Sequence, residues 1–160
     1  MLLSEIFTEH QIKVDLESKT KSELFYELMS FLEDSGAITD PEKALDALWQ
    51  RESVMNTVVA PHIALPHASL WLFKKTVGVF GISRDGIDYG APDGTPVNVV
   101  MLLIDDRYEA DKHLALLKSA ARLIGSPNFY SKTIQCATPQ EVFDLILEVE
   151  EAEKISRKTT

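Results

Sequence analysis

Pro96-Val97-Asn98-Val99-Val100-Met101-Leu102-Leu103-Ile104 is a nearly unbroken apolar run. A strand with one wet face alternates apolar and polar side chains, so a run that does not alternate reads as a central strand covered on both faces. The flanking segments supply the covers. Downstream, Ala110 to Ile124 reads as a helix closed by Gly125 and then Pro127, and Ser126 to Gln135 as a short helix. Upstream, Asp93-Gly94 and Asp85-Gly86 are turn signals. Before them, Thr76 to Ser83 reads as a second strand carrying Val77, Val79, Phe80 and Ile82.

Farther out the alternation of elements continues. Ile12-Lys13-Val14-Asp15-Leu16 reads as a short strand. Leu24, Phe25, Leu28, Met29 and Leu32 recur at helical spacing after a cap at Ser18 or Thr20, and Gly36 stops that helix. Asp40-Pro41 is a cap followed by proline at the first helical position. The helix it opens carries Ala44, Leu45, Leu48 and Trp49 on one stripe and runs into Arg51. Thr138-Pro139 opens a last helix to about Val149. No repeat, low-complexity tract or linker divides the chain, so the expectation is one domain over residues 1–150 and a charged, frayed tail over 151–160. Interleaved helices and strands predict an α/β fold with helices packed on a central sheet.

With 160 residues the chain is long enough to bury a real core, and 45% hydrophobic residues exclude a disordered one. Acidic residues outnumber basic ones 25 to 16, which disfavours nucleic acid and anionic membrane as partners. Cys136 is the only cysteine, so no internal disulfide can form and a reducing cytoplasm is the expected location. The first residues lack a basic region and a long apolar run, and no apolar stretch reaches membrane-spanning length. A homodimer is compatible with the sequence but nothing in it specifies one.

The chemistry concentrates in Ala60-Pro61-His62-Ile63-Ala64-Leu65-Pro66-His67, which holds two of the four histidines and two of the seven prolines. Imidazole is neutral, nucleophilic and proton-exchanging near pH 7. Proline on both sides of a short apolar run stiffens the backbone that presents it. Arg51-Glu52 lies upstream and His113 follows in Asp111-Lys112-His113-Leu114.

These residues resemble the fructose/mannitol-type enzyme IIA domains of the bacterial phosphoenolpyruvate-dependent phosphotransferase system, with nitrogen-regulatory and ascorbate-type relatives. The match is carried by Arg51-Glu52, Thr57, Ile63-Ala64-Leu65-Pro66-His67, Gly86-Ile87-Asp88-Tyr89, Asp93-Gly94-Thr95-Pro96-Val97 and His113-Leu114. It extends over roughly residues 1 to 150. The resemblance implies a three-layer α/β/α sandwich with a mixed central sheet. It also implies that His67 is phosphorylated by a histidine phosphocarrier protein and passes the group to an enzyme IIB domain. In that scheme His113 is the active-site neighbour and Arg51 a phosphate-stabilising cation. Neither a metal nor a cofactor is expected, and no Gly-x-x-x-x-Gly-Lys loop is present for ATP.

A phosphoryl group brings about two negative charges, by analogy with phosphorylated hydroxyl side chains, so a planar guanidinium is the natural partner for it. Thr57 and His62 are further candidates to touch the phosphate. Each residue also has a plainer reading. Arg51 near a helix end suits the helix dipole, and His113 shares a face with Leu116, Leu117 and Ala120 as a core histidine would. His62 would point to solvent on the far side of the arm, and His10 to the surface. Trp49, Trp71, Phe73 and Phe80 read as core or interface, and Cys136 as an inert buried thiol. Two other functions stay open. Phosphorylation of His67 could serve as a signal that controls a transporter, kinase or regulator, and His62, His67 and His113 could form a small metal site, although their spacing is not a usual ligand pattern.

Overall fold

The computed structural model describes residues 1–71 and 74–159, so Phe73 lies outside the described residues. The apolar run becomes the middle of one mixed sheet. Its strands are β1 (Ile12–Lys13), β2 (Val58–Ala60), β3 (Ile63–Ala64), β4 (His67–Leu70), β5 (Val77–Ile87) and β6 (Val97–Asp106). They lie in the order β1-β5-β6-β3-β2, with β4 also paired to β6. The β5–β6 and β2–β3 pairs are antiparallel, whereas the β1–β5, β3–β6 and β4–β6 pairs are parallel.

The alternation of β6 explains the layers. Val99, Met101 and Leu103 pack into one core with α1 (Leu3–Ile6), α4 (Ala110–Ile124), α5 (Phe129–Ile134) and α6 (Pro139–Lys158). Val100, Leu102 and Ile104 pack into the other, beneath α2 (Lys21–Asp34) and α3 (Pro41–Val54). Successive strand side chains point to opposite faces, so a strand sandwiched between helices needs apolar residues at every position. Each such buried side chain contributes about 2 kcal/mol. The result is the expected three-layer α/β/α sandwich.

Capping marks the helix starts. Thr20 accepts a hydrogen bond from the backbone N–H of Glu23, Asp40 from that of Lys43, and Thr138 from that of Glu141. Each cap is worth about 1 kcal/mol. Thr20 rather than Ser18 opens α2; the Ser18 hydroxyl instead donates to Glu27.

Three expectations need correction. Helix α6 does not end near Val149 but continues to Lys158, so the residues expected to fray are helical. Glu150 anchors that extension, accepting from both the backbone N–H and the hydroxyl of Ser4. Asp85-Gly86 does not reverse the chain. Strand β5 runs through it to Ile87, with a bulge between Ile82 and Ile87 where Gly86 takes φ +88°. Glycine is the residue that reaches that conformation without strain. The first strand is shorter than its alternation suggests, ending at Lys13, although the Leu16 N–H still donates to Ile82.

What positions the histidine arm is its pairing. β3 and β4 lie one after the other along β6, Ile63 opposite Val99 and His67 opposite Leu103. Pro66 between them keeps the line unbroken by accepting from the Leu103 N–H at 3.1 Å.

Candidate active site

His67 opens β4 and lines a cleft of about 450 Å³. The cleft is walled by Ala47, Gln50, Arg51 and Val54 of α3, by Ala68 and Ser69 of β4, by Arg107, and by Ala110 and His113 of α4. Arg51, His67 and His113, drawn together from distant parts of the sequence, therefore share one cavity. A larger groove of about 560 Å³ runs along α6, but apolar surface dominates it and no histidine lines it.

The two ring nitrogens of His67 have different partners. Nδ1 lies 2.8 Å from the Leu65 carbonyl oxygen, which can only accept, so Nδ1 carries the proton. Nε2 accepts from Nε–H of Arg51 at 3.2 Å and is the nitrogen with a lone pair. Arg51 is itself held in place, its other arm donating to the Met55 carbonyl at 3.1 Å. Burial holds the His67 pKa below the ordinary imidazole value, and the neighbouring Arg51 guanidinium and His113 ring add to the shift. The Leu65 hydrogen bond and the Glu52 charge oppose it without reversing it. The ring is thus held neutral at pH 7, with its lone pair on Nε2.

His113 faces His67 with ring centroids 5.5 Å apart. Its Nδ1 is bonded to the Asp105 carboxylate. Ser69, one strand residue beyond Ala68, donates to the same carboxylate at 2.6 Å. Arg107 brings a second guanidinium to the cleft and lies over the Trp71 ring, its Cζ 5.2 Å from the centroid. Trp71 in turn packs edge-on against Tyr108, with both rings exposed.

Thr57 and His62 are not brought to the cleft. The Thr57 hydroxyl is buried, 2.7 Å from both Glu52 Oε2 and the Tyr89 hydroxyl. Glu52 is the centre of that buried network: it also accepts from the Thr57 N–H at 3.0 Å and from Lys21 Nζ at 3.1 Å. A buried carboxylate needs such partners, and they claim Thr57. His62 sits at the opposite end of β3, stacked on Tyr130 with centroids 5.1 Å apart. Its Nδ1 is 3.0 Å from the Pro96 carbonyl, and its backbone takes a left-handed φ of 68° in the turn between β2 and β3. His62, His67 and His113 therefore do not converge. Among the described residues no three histidine, cysteine or carboxylate groups are placed to hold a metal ion.

The remaining sequence assignments settle simply. Phe80 is fully buried, the partly exposed Trp49 packs tilted against Phe25, and His10 is exposed. Cys136 is buried, and burial raises its pKa, which suits an unreactive thiol.

Asp105, Ser69 and Arg107 were not singled out by sequence reasoning. One signal was available: Asp105 continues the alternation Val99, Met101, Leu103, and so is an acid at a core-facing position on the side of His113. Glu52 had a similar signal, since it follows Ala44 and Leu48 at helical spacing on the buried stripe of α3.

Comparison with known proteins agrees with this architecture. A fructose-specific EIIABC component of the phosphotransferase system from Bacillus subtilis (strain 168) is 28% identical over 146 residues, 91% of this chain. The chain spans only 23% of that protein's length. The crystal structure of nitrogen regulatory protein IIA-Ntr from Neisseria meningitidis superposes with a TM-score of 0.82 at 24% identity, covering 90% of this chain and 98% of that one. The complex of enzyme IIA and phosphorylated enzyme IIB for mannitol from Escherichia coli matches with a TM-score of 0.71 at 20% identity, over 87% of this chain and 95% of that one. Among the described residues no helix is long and apolar enough to cross a membrane. Residues 5–149 match the family described as phosphoenolpyruvate-dependent sugar phosphotransferase system, EIIA 2, and the chain belongs to it.

Proposed function

We propose that the chain is a phosphoryl relay in which His67 accepts a phosphoryl group from a histidine phosphocarrier protein and passes it to an enzyme IIB domain for sugar uptake. One observation carries the reading: the His67 nitrogen with the lone pair, Nε2, is the one in the cleft and beside a guanidinium.

In the accepting step, Nε2 attacks phosphorus in line, the donor's P–N bond breaks and the new Nε2–P bond forms. The donor nitrogen keeps the electron pair. The proton stays on Nδ1, donated to the Leu65 carbonyl, so none has to leave His67. Arg51 then faces phosphoryl oxygens instead of a lone pair, a charge-assisted contact that strengthens as charge arrives. His113 lies across the ring to receive the remaining oxygens. The return step to IIB is the same displacement in reverse, and the neutral, partly buried ring suits an exchange that must not favour either side strongly.

A partner has to cover the cleft to reach Nε2. Exposed Val54, Met55, Trp71 and Tyr108 beside it give an apolar rim of the kind such contacts use. The Escherichia coli IIA–IIB complex supports IIB as the acceptor. We place the exchange in the cytoplasm.

The test is labelling with phosphoenolpyruvate, enzyme I and the phosphocarrier protein. Wild type should take up one phosphoryl group and His67→Ala none; equal labelling of the two would overturn the proposal. Similarity to the Neisseria IIA-Ntr fold supports a second reading, in which the charge state of the same histidine controls a regulated partner. A transporter or kinase captured by the unphosphorylated protein and released on labelling would favour it over sugar uptake.

A further inference from the structure

The relay as derived leaves the buried acid beside His113 unused. Asp105 is 3% exposed and sits at the inner end of β6, on the face covered by α4. The β4–β6 register places Ser69 directly opposite it. One carboxylate oxygen accepts from the Ser69 hydroxyl at 2.6 Å, and the other is bonded to His113 Nδ1, with the same hydroxyl 3.4 Å from that nitrogen.

An ionised carboxylate can only accept, so the proton in the Asp105–His113 contact lies on Nδ1. Nδ1 is thereby engaged toward the sheet, and Nε2 is the nitrogen left to act in the cleft that His113 lines. The second hydrogen bond, from Ser69, stops the carboxylate from rotating. An imidazole held this way is fixed in both tautomer and tilt, as a ligating histidine is fixed by its outer carboxylate.

We propose that Asp105, with Ser69, is a positioning residue for transfer at His67: it pins the His113 ring through Nδ1 so that Nε2 meets the incoming phosphoryl group. The inference rests on the reading of His67 as the phosphoryl acceptor. A purely structural role, tying α4 to the end of β6, would predict lost stability and nothing specific to His113.

Two readouts on the full chain separate these. The first needs no partner: ¹⁵N spectra of the neutral His113 ring should show protonated Nδ1 and bare Nε2 in wild type. Asp105→Asn keeps the shape but can donate as well as accept, so that preference should be lost. The second follows labelling of His67 by phosphoramidate, a small donor, using ³¹P spectra. Asp105→Asn should slow it on the order of tenfold, a typical cost of removing an outer carboxylate from a functional histidine. It should slow it no further when His113 is already Ala, because the two residues act as one unit.

An unchanged His113 tautomer in Asp105→Asn, or an equal slowing in the His113→Ala background, overturns the proposal. Should Asp105→Asn fail to fold, Ser69→Ala keeps the charge and removes only the steadying hydroxyl. It should then give a smaller shift of the His113 signals and a smaller loss of rate; no change in either counts against the proposal. If wild type takes no label from any donor, the relay reading fails instead, and the ring spectra still show whether Asp105 sets His113.

Discussion

Arg51 and Glu52 are consecutive on α3 and point to opposite ends of the chemistry. Arg51 lies in the cleft on Nε2 of His67, whereas Glu52 is buried beneath it on Thr57, Tyr89 and Lys21. Neighbouring helix residues are about 100° apart, so one turn of helix can serve a site and its foundation at once.

Arg51→Lys should not rescue Arg51→Ala. An ammonium cannot span the Met55 carbonyl and the His67 ring together, as the guanidinium does. We expect both variants to fold and to slow labelling of His67 roughly a hundredfold, the usual cost of one aimed donor. Lysine at wild-type rate would show that charge alone suffices.

The His67 shift sets a pH dependence of stability. Burial lowers the folded pKa, so the unfolded chain takes up its proton first as the pH falls. Between the ordinary value of about 6.5 and the lower folded value, the unfolded state binds more protons and stability rises with pH. The contribution is complete above the ordinary value and is lost as the pH drops through the folded one. Denaturant unfolding at a series of pH values should show wild type losing ground to His67→Gln on acidification. A parallel pair of curves would contradict the assignment.

Glu52→Gln tests the buried foundation. The amide keeps the shape but loses the charge paired with Lys21 and one acceptor for Thr57 and Tyr89, whose phenol burial already holds protonated. A loss of about 2 kcal/mol is expected in thermal or denaturant unfolding. Thr57→Val should lose part of the same energy, and the two losses should not add, since they share partners.

His62→Ala should separate the two histidines of the arm. It removes the stack on Tyr130 and the bond to the Pro96 carbonyl but leaves a non-glycine residue at positive φ. A drop of about 1.5 kcal/mol in stability with undiminished labelling is the expected pair of results. Reduced labelling in a fully folded variant would return His62 to the site.

Much of this was legible in the chain because the residues concerned obey short-range rules. The unbroken run at Val99 to Ile104 announced a strand with two covered faces, and the caps at Ser18 or Thr20, at Asp40 and at Thr138 announced helix starts. The pairing of Arg51, His67 and His113 was legible through family resemblance, not through spacing. What stayed hidden depends on tertiary register. Nothing local says that Ser69 lies opposite Asp105, or that Thr57 turns inward to a buried acid. His62 stayed open between the phosphate and the far side of the arm, since nothing local specifies the turn that sends it to Tyr130. The extension of α6 was missed because its charged residues read as solvated, whereas Ser4, far away in sequence, holds Glu150.

The seam of β3, Pro66 and β4 along β6 has a mechanical consequence. No glycine occurs between Pro61 and Gly78, and the backbone on either side of His67 is stitched to the central strand of the sheet. The imidazole cannot swing as a group on a tethered arm would. On the proposed relay, cargo is delivered to a stationary berth, and the same berth must be vacated by one visitor before the next can moor.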